Sequence, residues 1–379
     1  MQFDLTDEQR EIQELARRFT ADRITPFAAD WDERSIFPRD TIRAAAELGF
    51  GAIYVSEEGW GIALGRLESA LIMEAMAYGC PSTAAFISIH NMAAWMLDRF
   101  GPPELKAAHL TALVTMERMA SYCLTEASSG SDAAALKTRA VRDGDTYVVT
   151  GSKQFISGAG ENEVYLVMVR TGGEGPGGIS CLLIEKDMPG VSFGAQEKKL
   201  GWHSQPTAAL ILDGVRVPVG NRLGTEGEGF KIAMAGLDGG RVNIGACSLG
   251  GAQRCLDEAV RYTRDRKQFG RAVAEFQNTQ FALADMETEL QAARQLLYAA
   301  AEKVTADAPD KTRFAAMAKR LATDTGSKVA DAALQLHGGY GYLRDYPIER
   351  FWRDLRVHSI LEGTNQVMRM IVGRELTRD

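Results

Sequence analysis

The sequence predicts an α+β protein in which a middle run of strands is held between two helical ends. Three observations carry this. Residues 1–118 are rich in Ala, Met, Leu and Glu and are broken at Pro26, Pro38, Pro81 and Pro102-Pro103, the punctuation of successive helices. Residues 119–225 hold short β-branched runs, TYVVTGSKQF, EVYLVMVR, GISCLLIEK and TAALILDGVRVP, separated by Gly, Pro and Asp-Gly turns. Residues 226–379 return to helix, and Met286, Leu290, Ala293, Leu297, Ala300 and Val304 step by fours and threes as a bundle helix does. Three domains with these bounds are expected.

Taken in order, the first helix starts at Thr6, whose hydroxyl can cap it while Gln9, three residues on, closes a capping box. YCLTEASSGSD, Tyr122 to Asp132, reads as a loop before the first strands, and KQFISGAG, Lys153 to Gly160, as a strand end. RDRKQFGR, Arg264 to Arg271, is a basic run closing a helix, where the macrodipole favours cations. LQLHGGYGY, Leu334 to Tyr342, reads as a glycine-terminated helix. No strand–GxGxxG–helix unit occurs, so a doubly wound dinucleotide fold is not expected.

Composition removes several function classes. A net charge of −7 argues against nucleic acid and anionic membrane as partners. The longest apolar runs, such as Tyr165 to Val169, fall far short of the roughly 20 residues of a membrane span. The amino end is acidic and amphipathic, without a charged-then-apolar leader; a cytoplasmic site is expected, or the mitochondrial matrix for a processed eukaryotic form. Five cysteines form no CxxC and read as reduced, mostly buried thiols. The histidines show no metal-ligand spacing, so no metal is expected.

Each chemical stretch has a plain structural reading beside the functional one. The hydroxyl-rich loop could cradle a polar ring or phosphate, or merely connect. Phe155 and Ser157 could stack on and hydrogen-bond a flat heterocycle, or be a core ring beside a turn. The basic run could grip a pyrophosphate or face water. Glu362 lies between an apolar pair, Ile360-Leu361, and the turn Gly363-Thr364-Asn365; it is either a helix-start carboxylate or a desolvated base.

Taken together and in order, YCLTE…GSD, KQFISGAG, RKQFG, QLHGGYGY and ILEGTNQVMR resemble the acyl-CoA dehydrogenase family over essentially the whole chain. One departure is visible: Ala127-Ser128 stands where the family's first loop usually has Pro-Gly. The resemblance implies a helical domain, a middle β-barrel or sandwich domain and a carboxy-terminal four-helix bundle, with FAD between the last two. It implies that Tyr122, Cys123, Leu124, Thr125 and Ser131 border the flavin, with Phe155, Ile156 and Ser157 against its ring. Arg266, Phe276 and Gln277, with Gln335, Leu336, His337, Gly338 and Gly339, would hold the dinucleotide end from a neighbouring subunit of a homotetramer. Thr364, Asn365 and Gln366 would complete the cofactor site. Ser131, Asp238, Gly239, Gly240, Arg241 and Arg374 would contact the CoA thioester.

By the same resemblance Glu362 is the catalytic base that removes the α-proton of the acyl thioester. Its apolar neighbours disfavour the charged carboxylate and would raise its pKa toward the working range. A minority of the family carries its base just before the arginine of the DGGR-like segment; that position is Gly240, which cannot act as one. Gly239-Gly240 would leave room for a 2-methyl branch on the substrate, or simply permit close helix packing. Longer strings, STAAFISIHNMAAWMLDRFG, GSKQFISGAGE, RTGGEGPGGISC and GWHSQPT, resemble the family's short branched-chain members. They imply oxidation of isobutyryl-CoA to methacrylyl-CoA in valine catabolism, with electron-transfer flavoprotein as acceptor. Straight short-chain and 2-methylbutyryl thioesters are the alternatives, and an inactive scaffold is the non-enzymatic one.

Overall fold

The computed structural model describes residues 4–377. Six helices open the chain: α1 (Asp7–Arg23), α2 (Ala28–Arg34), α3 (Arg39–Ala46), α4 (Arg66–Ala77), α5 (Pro81–Phe100) and α6 (Pro103–Val114). The expected capping box is present. The Gln9 N–H donates to Thr6 Oγ1 at 3.2 Å, and the Thr6 N–H donates to Gln9 Oε1 at 3.0 Å. Helices α4 and α5 are apolar nearly all round, and both are buried nearly all round for that reason.

Eight strands follow: β1 (Ala120–Cys123), β2 (Arg139–Asp143), β3 (Thr146–Ser157), β4 (Val164–Arg170), β5 (Ile179–Glu185), β6 (Val191–Phe193), β7 (Thr207–Pro218) and β8 (Arg222–Leu223). They run β6-β7-β3-β2-β4-β5-β8, with β1 parallel to β4. Side chains of β3 and β7 face those of β4 and β5 across one core containing Tyr147, Val149, Tyr165, Leu182, Leu210 and Val217. The other face of β4 and β5 packs on helical residues including Met92, Leu97 and Ala233. Those two strands therefore read as unbroken apolar runs, whereas β3 alternates. The expected loop from Tyr122 begins differently: Tyr122 and Cys123 belong to β1, which at four residues is too short for alternation to mark it.

The helical remainder comprises α7 (Gly229–Asp265), α8 (Gln277–Thr305), α9 (Lys311–His337), α10 (Ile348–Arg356) and α11 (Asn365–Leu376). Helices α7, α8 and α9 pack on one another, with α11 against α9. The predicted α8 stripe is buried at Met286, Leu290, Ala293, Leu297 and Ala300, with Val304 half-buried at its end. A small ribbon, β9 (Lys267–Gln268) and β10 (Arg271–Ala272), joins α7 to α8. The architecture is thus helical, β and helical in turn. All five cysteines are free and buried, and no described helix is long and apolar enough to cross a membrane.

Candidate active site

The turn before α11 aims Glu362 into the interior. Glu362 has φ +54° and Gly363 φ +91°, so two successive residues take left-handed backbone. Glycine accepts that conformation freely and glutamate does not, which marks position 362 as held by its surroundings. The residue is partly exposed, but both carboxylate oxygens are buried and neither has a hydrogen-bond partner among the described residues. They lie against Gly240 of α7, where a Cβ would stand 2.5 Å from Oε2. A helix-start carboxylate would bond to the α11 amides. Thr364 does that instead, its Oγ1 accepting from the Val367 N–H at 3.3 Å.

Two cations hold this turn by its carbonyls. Arg241 Nε donates to the Glu362 carbonyl at 3.3 Å, while its Nη1 pairs with Asp238 at 3.0 Å, and Asp238 also accepts from Thr312 at 2.7 Å. Lys319 of α9 donates to the Gly363 carbonyl at 2.9 Å and to Asn365 Oδ1 at 3.0 Å. Burial pushes the Glu362 carboxyl up to about 7, against the opposing pull of Arg241 and then Lys319. An ordinary carboxylate has thereby become a group that exchanges its proton near neutrality.

The paired glycines serve neighbours rather than leaving empty space. A side chain at Gly240 would strike Glu362, and one at Gly239 would strike the Arg66 guanidinium, which stacks 3.5 Å over the Tyr54 ring. The expectation of room for a substrate branch is corrected accordingly at those two positions.

Tyr122 of β1 lies near Glu362, and other predicted residues lie on β1, the loop after it and β3. The Tyr122 hydroxyl donates to the Ala233 carbonyl of α7 at 3.5 Å. Burial above all, with Cys181 and Glu362 nearby, keeps this phenol protonated. Cys123, Leu124 and Ile156 turn their side chains into cores, so only their backbone can meet a ligand. Thr125 is half-buried and Ser131 exposed. At Ala127-Ser128 the turn is closed by reciprocal backbone bonds between Glu126 and Ser129, both 3.1 Å. Beneath it Lys153 donates to Glu126 at 2.8 Å and to the Leu124 carbonyl at 3.1 Å, a fully buried lysine. The register of β3 against β7 slips between Lys153 and Ile156, and there Phe155 takes φ +58° and leaves its ring 63% exposed. A bulge of this kind re-aims a side chain. Ser157 Oγ, two residues on, accepts from Gln205 at 2.6 Å.

A separate cleft of about 640 Å³ lies where α7 and α9 end, lined by Tyr262, Arg266, Gln335, His337 and Gly338-Gly339 among others. His337 stacks on Tyr262 at 4.4 Å, and its Nε2 is buried without a partner among the described residues. Nothing stands within 4 Å of where a Cβ would be at Gly338 or Gly339. Leu336 is half-buried beside them, and Phe276 and the exposed Gln277 open α8 close by. Lys319 and His337 share α9, which at ~1.5 Å per residue separates them by about 27 Å. The predicted residues therefore fall into two groups. Asn365 belongs to the Glu362 group but spends its side chain on Lys319, Thr323 and Asp324. Gln366 is exposed, and Arg374 lies exposed in the last turn of α11.

Sequence reasoning missed Lys319, Tyr54, Arg66 and Gln205. Lys319 did leave a signal: it sits on the alanine stripe of α9, four residues after Ala315 and three before Ala322, where a charge is out of place. The other three have no such mark.

Comparison with known proteins assigns the chain to one family over nearly its whole length. The acyl-CoA dehydrogenase N-terminal domain matches residues 6–117, the middle domain residues 121–215 and the C-terminal domain residues 227–377. A mitochondrial isobutyryl-CoA dehydrogenase from Dictyostelium discoideum is 56% identical, over 99% of this chain and 90% of its own. Butyryl-CoA dehydrogenase from Megasphaera elsdenii superposes with a TM-score of 0.97 at 37% identity, covering 100% of both chains. A chain solved in work on the electron transferring flavoprotein of Acidaminococcus fermentans gives 0.97 at 41% identity, again over 100% of both. Glu362, desolvated and unpartnered between α7 and α11, lies within a chain that belongs to the acyl-CoA dehydrogenase family.

Proposed function

We propose that this acyl-CoA dehydrogenase oxidises isobutyryl-CoA to methacrylyl-CoA, the dehydrogenation step of valine catabolism, with Glu362 as base and electron-transfer flavoprotein as acceptor. The observation that carries the base is the buried carboxylate with no hydrogen-bond partner and a pKa pushed up to about 7. An unpaired buried carboxylate costs stability, and folds retain such groups where chemistry uses them. The branched substrate rests on 56% identity to an isobutyryl-CoA dehydrogenase, and the acceptor on the likeness to a chain from the flavoprotein work.

The family's cofactor is FAD, and the residues present fit it. Phe155 offers an exposed ring face, and the Ser157 hydroxyl hydrogen has no acceptor among the described residues. The open glycines of the distant cleft allow close backbone approach, and His337 Nε2, without a partner among the described residues, offers a polar atom to a dinucleotide. Tyr122, Thr125 and Ser131, with the backbone of Cys123, Leu124 and Ile156, would border the ring, and Thr364 and Gln366 its margin. Arg266, Gln277 and Gln335 to Gly339 would hold the far end, about 27 Å away along α9, and so serve a neighbouring subunit's cofactor. The chemistry that bound FAD would supply is hydride acceptance from the β-carbon.

The chain's own residues handle the proton. Glu362 accepts it from the α-carbon, and the thioester oxygen then needs hydrogen-bond donors. The Glu362 N–H, on the same turn, is one candidate the chain supplies. Arg241 and Asp238 fix the α7 side of the site, while Ser131 and Arg374 remain open to water for the CoA moiety. The deciding experiment is a panel of acyl-CoAs with an artificial electron acceptor. Isobutyryl-CoA should give the highest kcat/KM. Butyryl- and 2-methylbutyryl-CoA should lag by the roughly 10- to 200-fold that one methyl group is worth in an apolar pocket. Butyryl-CoA leading by roughly tenfold would overturn the substrate and leave the reaction standing.

A further inference from the structure

We propose that Lys319 is a positioning residue for the dehydrogenation, its buried ammonium holding the Glu362 turn in place and keeping the base ionisable. The proposal rests on Glu362 being the base, and it deepens that reading.

Lys319 is 0% exposed, in a buried helix face made mostly of alanines and other small residues. No carboxylate lies within ion-pair distance of it among the described residues; its recorded partners are the Gly363 carbonyl and the Asn365 side chain, both neutral. A buried charge is costly unless paired, and a glutamine could make one such bond at far smaller cost. The cation therefore needs a reason beyond bridging α9 to the turn. Its two partners bracket the base, since Gly363 follows Glu362 and Asn365 opens α11. Together with Arg241, it grips two successive carbonyls of a left-handed pair that glutamate does not adopt unaided.

Charge separates the two cations. Arg241 is neutralised by Asp238 at 3.0 Å, and Asp238 is engaged again by Thr312. Lys319 has no such partner among the described residues, and its charge adds to the larger pull of Arg241 on the Glu362 carboxylate. The other groups facing Glu362 are neutral: Tyr54 from the loop after α3, Tyr122 from β1 and Cys247 from α7 all have raised pKa values through burial. His358, on the segment leading to the turn, is pushed down to about 3 by burial and then by Lys319, and carries no charge at neutral pH. Asp324 of α9 accepts from Asn365 and stands on the Lys319 side. Lys319 itself is lowered by burial to about 8, with Glu362 opposing the shift.

The test uses the FAD-loaded enzyme and a readout independent of turnover. The infrared carboxyl band of Glu362, identified by its absence in Glu362→Gln, is titrated in wild type, Lys319→Gln, Lys319→Met and Lys319→Arg. Removing the charge should move the midpoint upward by roughly one pH unit. Lys319→Gln and Lys319→Met should both show the shift, and Lys319→Arg should restore the wild-type midpoint. The pH at which isobutyryl-CoA bleaches the flavin should move in parallel. Folded, yellow Lys319→Gln protein that titrates Glu362 at the wild-type pH would overturn the proposal. So would failure of both neutral variants to fold, which would assign Lys319 to structure alone. Absence of bleaching by any acyl-CoA in wild type would instead refute the proposed reaction, because the infrared titration needs no substrate.

Discussion

At the residue scale the chemistry is a matter of what Glu362 is denied. Its oxygens have no hydrogen-bond donor among the described residues, and its pKa is pushed up to about 7 by burial, with Arg241 and Lys319 opposing. Glu362→Gln should keep the flavin colour and thioester binding but lose roughly 100-fold or more of the bleaching rate in stopped flow, the share general-base catalysis supplies. The same substitution has a signature in stability. A folded pKa above the unfolded value means the folded state is favoured by protonation; that stability is full below about 4.5 and is lost as pH rises through about 7. Glu362→Gln should therefore raise the melting temperature at pH 8, through a gain on the order of 3 kcal/mol, and leave it little changed at pH 4. Gly240→Ala tests the fit from the other side. Its Cβ would stand 2.5 Å from Oε2, and the displaced carboxylate should cost roughly 100-fold in kcat/KM, with the fold intact by circular dichroism.

At the scale of elements, the loop after β1 and the bulge in β3 share one buried ion pair. Burial alone would raise the Glu126 carboxyl, but Lys153 and the Lys137 and Thr138 amides outweigh it and hold the pKa below the ordinary value. The pair's stability is thus present above the ordinary carboxylate pKa and is lost as pH falls through the depressed one. Lys153→Met leaves Glu126 buried and uncompensated, a loss of roughly 3–5 kcal/mol. Because Lys153 also holds the Leu124 carbonyl and precedes the Phe155 bulge, this variant should lose FAD at lower temperature than wild type. Flavin fluorescence during a thermal ramp would show it. Retention of FAD up to the wild-type temperature would separate the loop from cofactor binding.

For the whole molecule the two groups of predicted site residues set the expectation. The cleft with Arg266 and Gly338-Gly339 and the carboxylate of Glu362 stand near opposite ends of α9. If the cleft serves a neighbour's cofactor, FAD retention and assembly are linked by mass action. Arg266→Ala should then weaken FAD binding and loosen the proposed homotetramer together, followed by analytical ultracentrifugation with absorbance at the flavin band. A variant that sheds FAD and stays tetrameric on dilution would show that each subunit holds its cofactor alone.

What the sequence determined by itself was local: the capping box at Thr6, the α8 stripe, the β-branched run of β3 and the order of the family's motifs, each written within a few consecutive residues. Glu362 was legible for the same reason, since its apolar pair and glycine turn adjoin it in the chain. β1 was not, because four residues give periodicity too little length. Only the tertiary structure decided what Glu362 faces. Arg241 reaches it across 121 residues and Lys319 reaches Gly363 across 44, and no spacing rule connects positions so far apart. The paired glycines show the same limit. Their lack of side chains was plain in the sequence, but that Arg66 and Glu362 fill the space depends on how α4 and the last turn pack against α7. Periodicity reports which face of an element is buried; the identity of the group lying on that face is fixed by packing between elements.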